Sequence, residues 1–335
     1  MRPFTYTAIS TVSAATQKLT ANPQAQYLAG GTNILDLMKE DVEQPSELVD
    51  ITRLKLSEVK TIETGANTGG ISIGALGKNT ETANHPLIRQ NFPLLTQAIL
   101  AGASVQIRNM ASNGGNLNQR TRCPYFYETS MPCNKREPGS GCGALEGINR
   151  MHAIFGWSEQ CVAVHPSDMC IALAALDAVV KVQGTDGKER SIPFTEYHRL
   201  PGDSPQKDNK LNKGELITAI EIPRNNFSKT SYYLKVRDRA SYAFALISVA
   251  AALEMEGNLI KQARVALGGV AHKPWRAREA EKFLTGKQAT EVNFKQAAEL
   301  EMKGAKPLEH NEFKVELGKR AITRALMQAM TGGKS

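Results

Sequence analysis

Gln26-Tyr27-Leu28-Ala29-Gly30-Gly31-Thr32-Asn33-Ile34 is the stretch on which the fold reading turns. Gln26 to Ala29 reads as a short strand, the glycine pair as a turn, and Ile34 to Lys39 as a helix. A strand over Glu47 to Ile51 pairs beside the first, which makes a small βαβ unit with parallel strands. Chemically, two glycines let the backbone turn sharply and present successive N–H groups to an anion, and Thr32 and Asn33 add donors. The spacing is neither G-x-G-x-x-G nor G-x-x-x-x-G-K-[ST]. Taken alone, the pair is a weak signal that reads more readily as a tight turn than as a phosphate cradle.

About eighty residues on, Ser112-Asn113-Gly114-Gly115-Asn116 repeats the pattern. Two such turns can grip one diphosphate from both sides. Directly behind the second turn the cysteines gather. Cys123, Cys133, Cys142 and Cys161 are spaced C-x9-C-x8-C-x18-C. That spacing lacks the C-x2-C pairs of most structural zinc sites and the C-x2-C-x2-C run of bacterial ferredoxins. The loop holding them is rich in Pro and Gly (Pro124, Pro132, Pro138, Gly139, Gly141, Gly143), so it needs a staple. An iron–sulfur cluster, a zinc ion and disulfides or free thiols all remain open at this level. Cys170, in an apolar stretch, reads as buried packing.

Elsewhere the chain reads as ordinary α+β structure. Ser57 to Ala75 alternates around Gly65 and Gly69-Gly70 as a hairpin does. Phe92 to Ala101 has helical spacing and stops at Gly102. Pro166-Ser167-Asp168 starts a helix that the apolar run Ile171 to Ala178 continues, before a strand at Val179 to Gln183. Arg199 to Gly214 is aperiodic and polar, a boundary or an exposed loop. Strands follow at Glu215–Ile222, Tyr232–Arg237, Ala245–Glu254 and Ala263–Leu267. Helices follow after Trp275, near Phe294–Met302 and over Glu312–Met330, where Phe313, Leu317, Ala321 and Ala325 form a packing stripe.

With 335 residues the chain has room for two cores. Its formal charge of +8 is scattered among acidic residues without aromatic interleaving, which argues against nucleic acid and suits an anionic cofactor or an acidic partner. No apolar run reaches the roughly 20 residues of a membrane span. The start, Met1-Arg2-Pro3-Phe4-Thr5-Tyr6, has no apolar h-region. The chain is therefore expected in the cytoplasm, or in the periplasm if exported with a signal-bearing partner. The six histidines are dispersed, no acid–base or nucleophile constellation is visible, and His165, beside the Pro-Ser-Asp helix start, is the one to watch.

Ala29 to Asn33, Gln106-Ile107-Arg108-Asn109, Gly114-Gly115-Asn116, Pro166-Ser167-Asp168, Lys235-Val236-Arg237 and Val265 to Ala271, in this order, resemble the FAD-binding medium subunit of the xanthine dehydrogenase family of molybdenum hydroxylases. Arg120 to Tyr127, Cys133-Asn134-Lys135-Arg136 and Gly139-Ser140-Gly141-Cys142 look like the bacterial three-subunit aldehyde oxidoreductases. The resemblance implies an α+β, vanillyl-alcohol-oxidase-type (PCMH-like) fold: two FAD-binding subdomains, then a C-terminal antiparallel sheet with helices. It divides the chain into a FAD-binding domain over 1–225, with an iron–sulfur loop at about 120–162, and a C-terminal α+β domain over 226–335.

It also implies FAD held by Leu28, Ala29, Gly30, Gly31, Thr32, Asn33 and Ile34, with Arg108, Ala111, Ser112, Gly115 and Asn116. Asp168 and Lys235 would lie near the ribityl chain or the flavin ring, where a cation favours the reduced anionic flavin. An extra 4Fe–4S cluster would sit on Cys123, Cys133, Cys142 and Cys161. A large partner would hold the molybdenum cofactor and a small one two 2Fe–2S clusters, with this chain passing electrons to an external acceptor. The alternatives are the flavin subunit of a 4-hydroxybenzoyl-CoA reductase-like complex and a zinc-stapled, non-catalytic assembly subunit.

Overall fold

The computed structural model describes residues 1–332. The chain begins with β1 (Thr5–Ala8), α1 (Val12–Ala21), β2 (Ala25–Leu28), α2 (Ile34–Lys39) and β3 (Glu47–Asp50). These form a three-stranded parallel sheet, β1-β3-β2, with Tyr27 opposite Val49. The βαβ reading of the glycine-turn stretch is thus correct. Its core is small: Ala15, Ala25, Val49, Ile51 and Leu54, closed by Leu216 from far along the chain.

The second unit opens with the hairpin β4 (Val59–Thr61) and β5 (Ile71–Gly74). Five short helices follow: α3 (Asn79–Asn84), α4 (Pro86–Asn91), α5 (Pro93–Ala101), α6 (Val105–Met110) and α7 (Asn113–Leu117). Pro86 and Pro93 each open a helix, where a missing N–H costs nothing. The cysteine segment holds only two single turns, α8 (Pro124–Tyr127) and α9 (Gly143–Glu146). Then come α10 (Asp168–Ala175), β6 (Val179–Gln183), β7 (Glu189–Pro193), α11 (Phe194–Tyr197) and β8 (Leu216–Ile222). β8 returns to pair with both β5 and β6, giving an antiparallel sheet ordered β4-β5-β8-β6-β7.

The final unit is β9 (Ser231–Val236), β10 (Ile247–Glu256), β11 (Leu259–Gly268) and β12 (Trp275–Arg276), then α12 (Arg278–Leu284), α13 (Glu291–Met302) and α14 (Phe313–Met330). Its antiparallel sheet, β12-β11-β10-β9, has two buried faces. Period-two alternation sorts β10 between them. Val249, Ala251 and Leu253 face α12–α14, while Ala250 and Ala252 face α10.

Every residue of α10 is buried. Its Met169, Ile171 and Leu173 each contribute about 1.5–3 kcal/mol by leaving water. The alanines of β10 and Gly268 of β11 let it approach closely: a Cβ on Gly268 would lie 2.7 Å from Ile171 Cγ1. α10 therefore welds the core of the second unit to the C-terminal sheet.

Two expectations need correction. The helix does not run on to Ala178. It ends at Ala175, because Asp177 takes a left-handed backbone (φ 52°) and its carboxylate is held by Arg264 and Arg276. In α14 the stripe is displaced: Phe313 is 39% exposed, whereas Lys314, Gly318, Ala321, Ile322, Ala325, Leu326 and Ala329 are buried. A lysine among the buried positions is invisible to a hydropathy pattern. Arg199–Gly214 is a loop, as read, but not a merely exposed one, since Asp208 within it is paired with Arg120 and Lys135.

Candidate functional site

Where the three units meet lies a cavity of about 980 Å³. Of the residues expected to hold FAD, Ala29 to Ile34, Arg108, Ala111, Ser112, Gly115, Asn116, Asp168 and Lys235 all line it; Leu28 ends β2 just outside. The two glycine turns play different parts. In the first, Gly31 adopts φ 73°, and a Cβ on Gly30 would lie 2.0 Å from the Met110 carbonyl oxygen, so this turn is pressed against the end of α6. Among the described residues, the N–H groups of residues 30–34 have no protein acceptor. Main-chain donors left free along a cavity wall are what an anionic diphosphate requires.

The second turn satisfies itself. Asn113 and Gly114 N–H donate to the Gly77 and Ala75 carbonyls (2.9 and 2.7 Å), and Gly115 N–H to Ser112 Oγ (3.2 Å). Asn113, fully buried, ties this turn to Asn79 and Thr82. The second turn's N–H groups are thus taken up by residues 75, 77 and 112, while Ser112, Gly115 and Asn116 line the cavity. Asp168 and Lys235 meet as a buried pair at 2.7 Å, with Tyr233 Oη donating to Asp168 at 2.7 Å and Lys235 also donating to the Ala101 carbonyl. The Lys235 side chain is buried, 4% exposed.

The four cysteines converge on the neighbouring wall. Cys133 and Cys142 form an antiparallel bridge, and Cys161 follows in the next one, opposite Ser158. The Cys142 and Cys161 sulfurs face each other, an arrangement that lowers the Cys142 thiol and raises Cys161. Burial pushes Cys123 up to about 12, although the Phe126 and Tyr125 N–H groups point at its sulfur. The Ala144, Val162 and Leu145 N–H groups serve Cys142 in the same way, and Ala163 serves Cys161. Rings of N–H donors around sulfurs favour thiolates.

Zinc held tetrahedrally at about 2.3 Å would bring sulfurs within roughly 3.8 Å of each other. Among the described residues, the only trio of His, Cys, Asp or Glu with ligand atoms within 4.8 Å is His165, Cys170 and His198, in the core beside α10. No three of the four cysteine sulfurs lie that close together.

Cations surround this loop. Lys135, 1% exposed at its side chain, and Arg120 both bind Asp208. Burial alone would raise the Asp208 carboxyl, but Lys135 and Arg120 outweigh it and hold it well below the usual carboxylate range. Arg122 joins the two sites: it binds Asp36 of α2 at 2.6 Å and lies over the Tyr127 and Phe244 rings (5.7 and 5.6 Å to the centroids). Sequence reasoning missed Tyr242, Phe244 and Arg239 at the cavity, and Asp208 and Lys314 behind the cysteines. Nothing in local pattern marks them, because each arrives from a remote segment.

The profile of the FAD binding domain in molybdopterin dehydrogenase matches residues 2–225, and that of the CO dehydrogenase flavoprotein C-terminal domain matches residues 232–329. This chain belongs to the FAD-binding medium subunits of the molybdenum hydroxylases. It is 47% identical to the aldehyde oxidoreductase FAD-binding subunit PaoB of Escherichia coli, over 98% of this chain and 99% of that one. To the glyceraldehyde dehydrogenase medium chain of Sulfolobus acidocaldarius it is 29% identical, over 88% and 85%. Among solved structures, quinoline 2-oxidoreductase from Pseudomonas putida 86 aligns with a TM-score of 0.75 at 25% identity, over 99% of this chain and 98% of that one. As a medium subunit of this family, the chain is an FAD-binding oxidoreductase subunit, and the free N–H groups of residues 30–34 fit the group its family binds.

Proposed function

We propose that this chain is the FAD- and 4Fe–4S-carrying electron-transfer subunit of a three-subunit molybdenum aldehyde oxidoreductase. A large partner with the molybdenum cofactor oxidises the aldehyde, a small partner with 2Fe–2S clusters connects the two, and this chain delivers the electrons to an external acceptor. The observation that carries the reading is adjacency. Arg122, Met151, Pro166, Ser167, Asp168 and Phe244 line both the large cavity and a smaller one whose far side is Cys123 and His152. A cluster on Cys123, Cys133, Cys142 and Cys161 would therefore lie one layer of side chains from bound flavin. FAD supplies the ability to take up and release electrons singly or in pairs.

The chain's own residues do the rest. Residues 30–34 offer neutral N–H groups to the diphosphate, Ser112 and Asn113 hold the bracing turn, and Asp168 fixes Lys235 at the cavity wall. The likeness to PaoB supports an aldehyde as the complex's substrate, and nothing observed favours the benzoyl-CoA reductase or zinc-stapled alternatives. No helix among the described residues is long and apolar enough to cross a membrane. The compartment would be that of the partner subunits.

The test is anaerobic mixing of the assembled complex with aldehyde, following flavin absorbance, for the wild type and Gly31→Asp. Wild-type flavin should bleach. Gly31→Asp, with a carboxylate beside the diphosphate and a side chain at φ 73°, should lose flavin and acceptor reduction together. A flavin-free complex that still reduces the acceptor at the full rate would contradict the proposal.

A further inference from the structure

His152 stands where the cysteine loop meets the C-terminal unit. Its Nε2 lies 3.1 Å from Cys123 Sγ, and the residue is 3% exposed. Its other ring nitrogen, Nδ1, is buried without a partner among the described residues. The main chain beneath it is gripped from the start of α14. The His152 carbonyl accepts from Lys314 Nζ at 2.8 Å and from Asn311 Nδ2 at 3.2 Å, and both donors are fully buried. Lys314 also donates to the Gly269 carbonyl at 2.8 Å. Three remote segments thus fix one imidazole against one cysteine.

A neutral imidazole carries a single N–H, on one nitrogen or the other. While Cys123 is a thiol, its S–H can serve Nε2 as an acceptor. A metal-bound thiolate has no proton to give, so the roles must then be settled by the ring. With the proton on Nδ1, the donor has only the Asn149 carbonyl nearby, outside hydrogen-bond geometry, and Nε2 and the sulfur face each other lone pair to lone pair at 3.1 Å. A buried donor left poorly satisfied is costly. With the proton on Nε2, the sulfur gains a charge-assisted hydrogen bond and Nδ1 keeps only an unused lone pair. The second arrangement wins.

We propose that His152 Nε2–H donates to the Cys123 thiolate of the iron–sulfur cluster and holds that cluster's reduction potential above the value it would otherwise have. The proposal rests on the cluster reading given above. Uptake of one electron adds one negative charge, and a donor aimed at a ligand sulfur stabilises the more negative state. His152 is a positioning residue in this scheme, since it acts through a ligand. Lys314 and Asn311 couple the arrangement to α14, so the C-terminal unit fixes the surroundings of a site whose cysteines it does not supply.

The experiment compares the wild-type complex with His152→Leu, which has no donor, and His152→Gln, which keeps an N–H within reach. Iron per chain and the cluster midpoint, from an EPR-monitored redox titration, are read for each. His152→Leu should keep its iron with a midpoint shifted to more negative values, and His152→Gln should recover part of the shift. Full iron and a wild-type midpoint in His152→Leu would overturn the proposal. Should that variant lose iron, pulsed EPR of the reduced wild-type cluster with 15N-labelled histidine decides: a nitrogen coupling supports the hydrogen bond, and none refutes it. A wild-type complex without iron defeats the cluster reading and this proposal together. Full iron with an unshifted midpoint defeats only the role of His152.

Discussion

At residues 30–34 the cavity wall offers neutral main-chain N–H groups, whereas the cysteine loop a few residues away in space is flanked by buried Lys135 and Arg120, both paired with Asp208, and by Lys314, which burial pushes down to about 7. On the reading proposed above, both regions receive negative charge. The cradle does so with backbone, which a glycine turn fixes once the strand and helix on either side are in place. The loop has only two single helical turns and relies on side chains drawn from residues 120, 135, 208 and 314. A site made of backbone should fail when a Cβ is added; a site made of side chains should fail when a ligand or counter-ion is removed.

Cys133→Ser should show the largest effect. The variant should lose its cluster iron and destabilise the loop, while the cradle, which shares no ligand with it, keeps FAD. Iron and flavin assays on the same preparation check both halves. Wild-type iron in that variant would remove Cys133 from the ligand set. The reverse case is Gly30→Ala, whose new Cβ would strike the Met110 main chain at 2.0 Å. Overpacking of this kind costs about 1–3 kcal/mol, so flavin retention should fall roughly tenfold while iron is kept. A fully flavinated variant would show that the turn is not the cradle.

Asp208→Asn probes the counter-ions. Because the carboxyl of Asp208 is held below its unfolded value of about 3.9, its stabilisation is present above that pH and disappears as pH falls through the folded value. At pH 7 the substitution leaves Lys135 and Arg120 short of an anion and should cost about 2–4 kcal/mol. The gap to wild type in thermal or denaturant unfolding should narrow below about pH 4. A gap independent of pH would mean that Asp208 acts by shape alone. The smallest effect is expected of Ser112→Ala, which removes the acceptor for Gly115 N–H and should cost about 1 kcal/mol. Binding titrations should show FAD affinity weakened by no more than about tenfold.

How legible each region was in the sequence follows from the same distinction. The strand, Gly-Gly turn and helix of the cradle could be read from adjacent residues, as could much of β10 and β11 as strands and α13, because local periodicity and turn chemistry encode them. The four cysteines were visible as a group, although their spacing alone left the metal open. Lys314 was hidden inside an amphipathic helix, where its Nζ reaches carbonyls of residues 152 and 269. Asp208 was hidden in an aperiodic loop. Their roles depend on which segments meet, and no window of sequence contains both partners. The partners of the second turn were hidden for the same reason, since its acceptors are the carbonyls of Ala75 and Gly77.

The central claim is that two redox centres sit side by side in this chain, and it is tested most directly by composition. Flavin, iron and zinc should be measured per chain, with an absorption spectrum, on complex purified without oxygen. One FAD and about four irons beyond those of the small subunit, the content of a single Cys₄-held cubane, is the result expected. One FAD with no such iron, whether or not zinc takes its place, would contradict it.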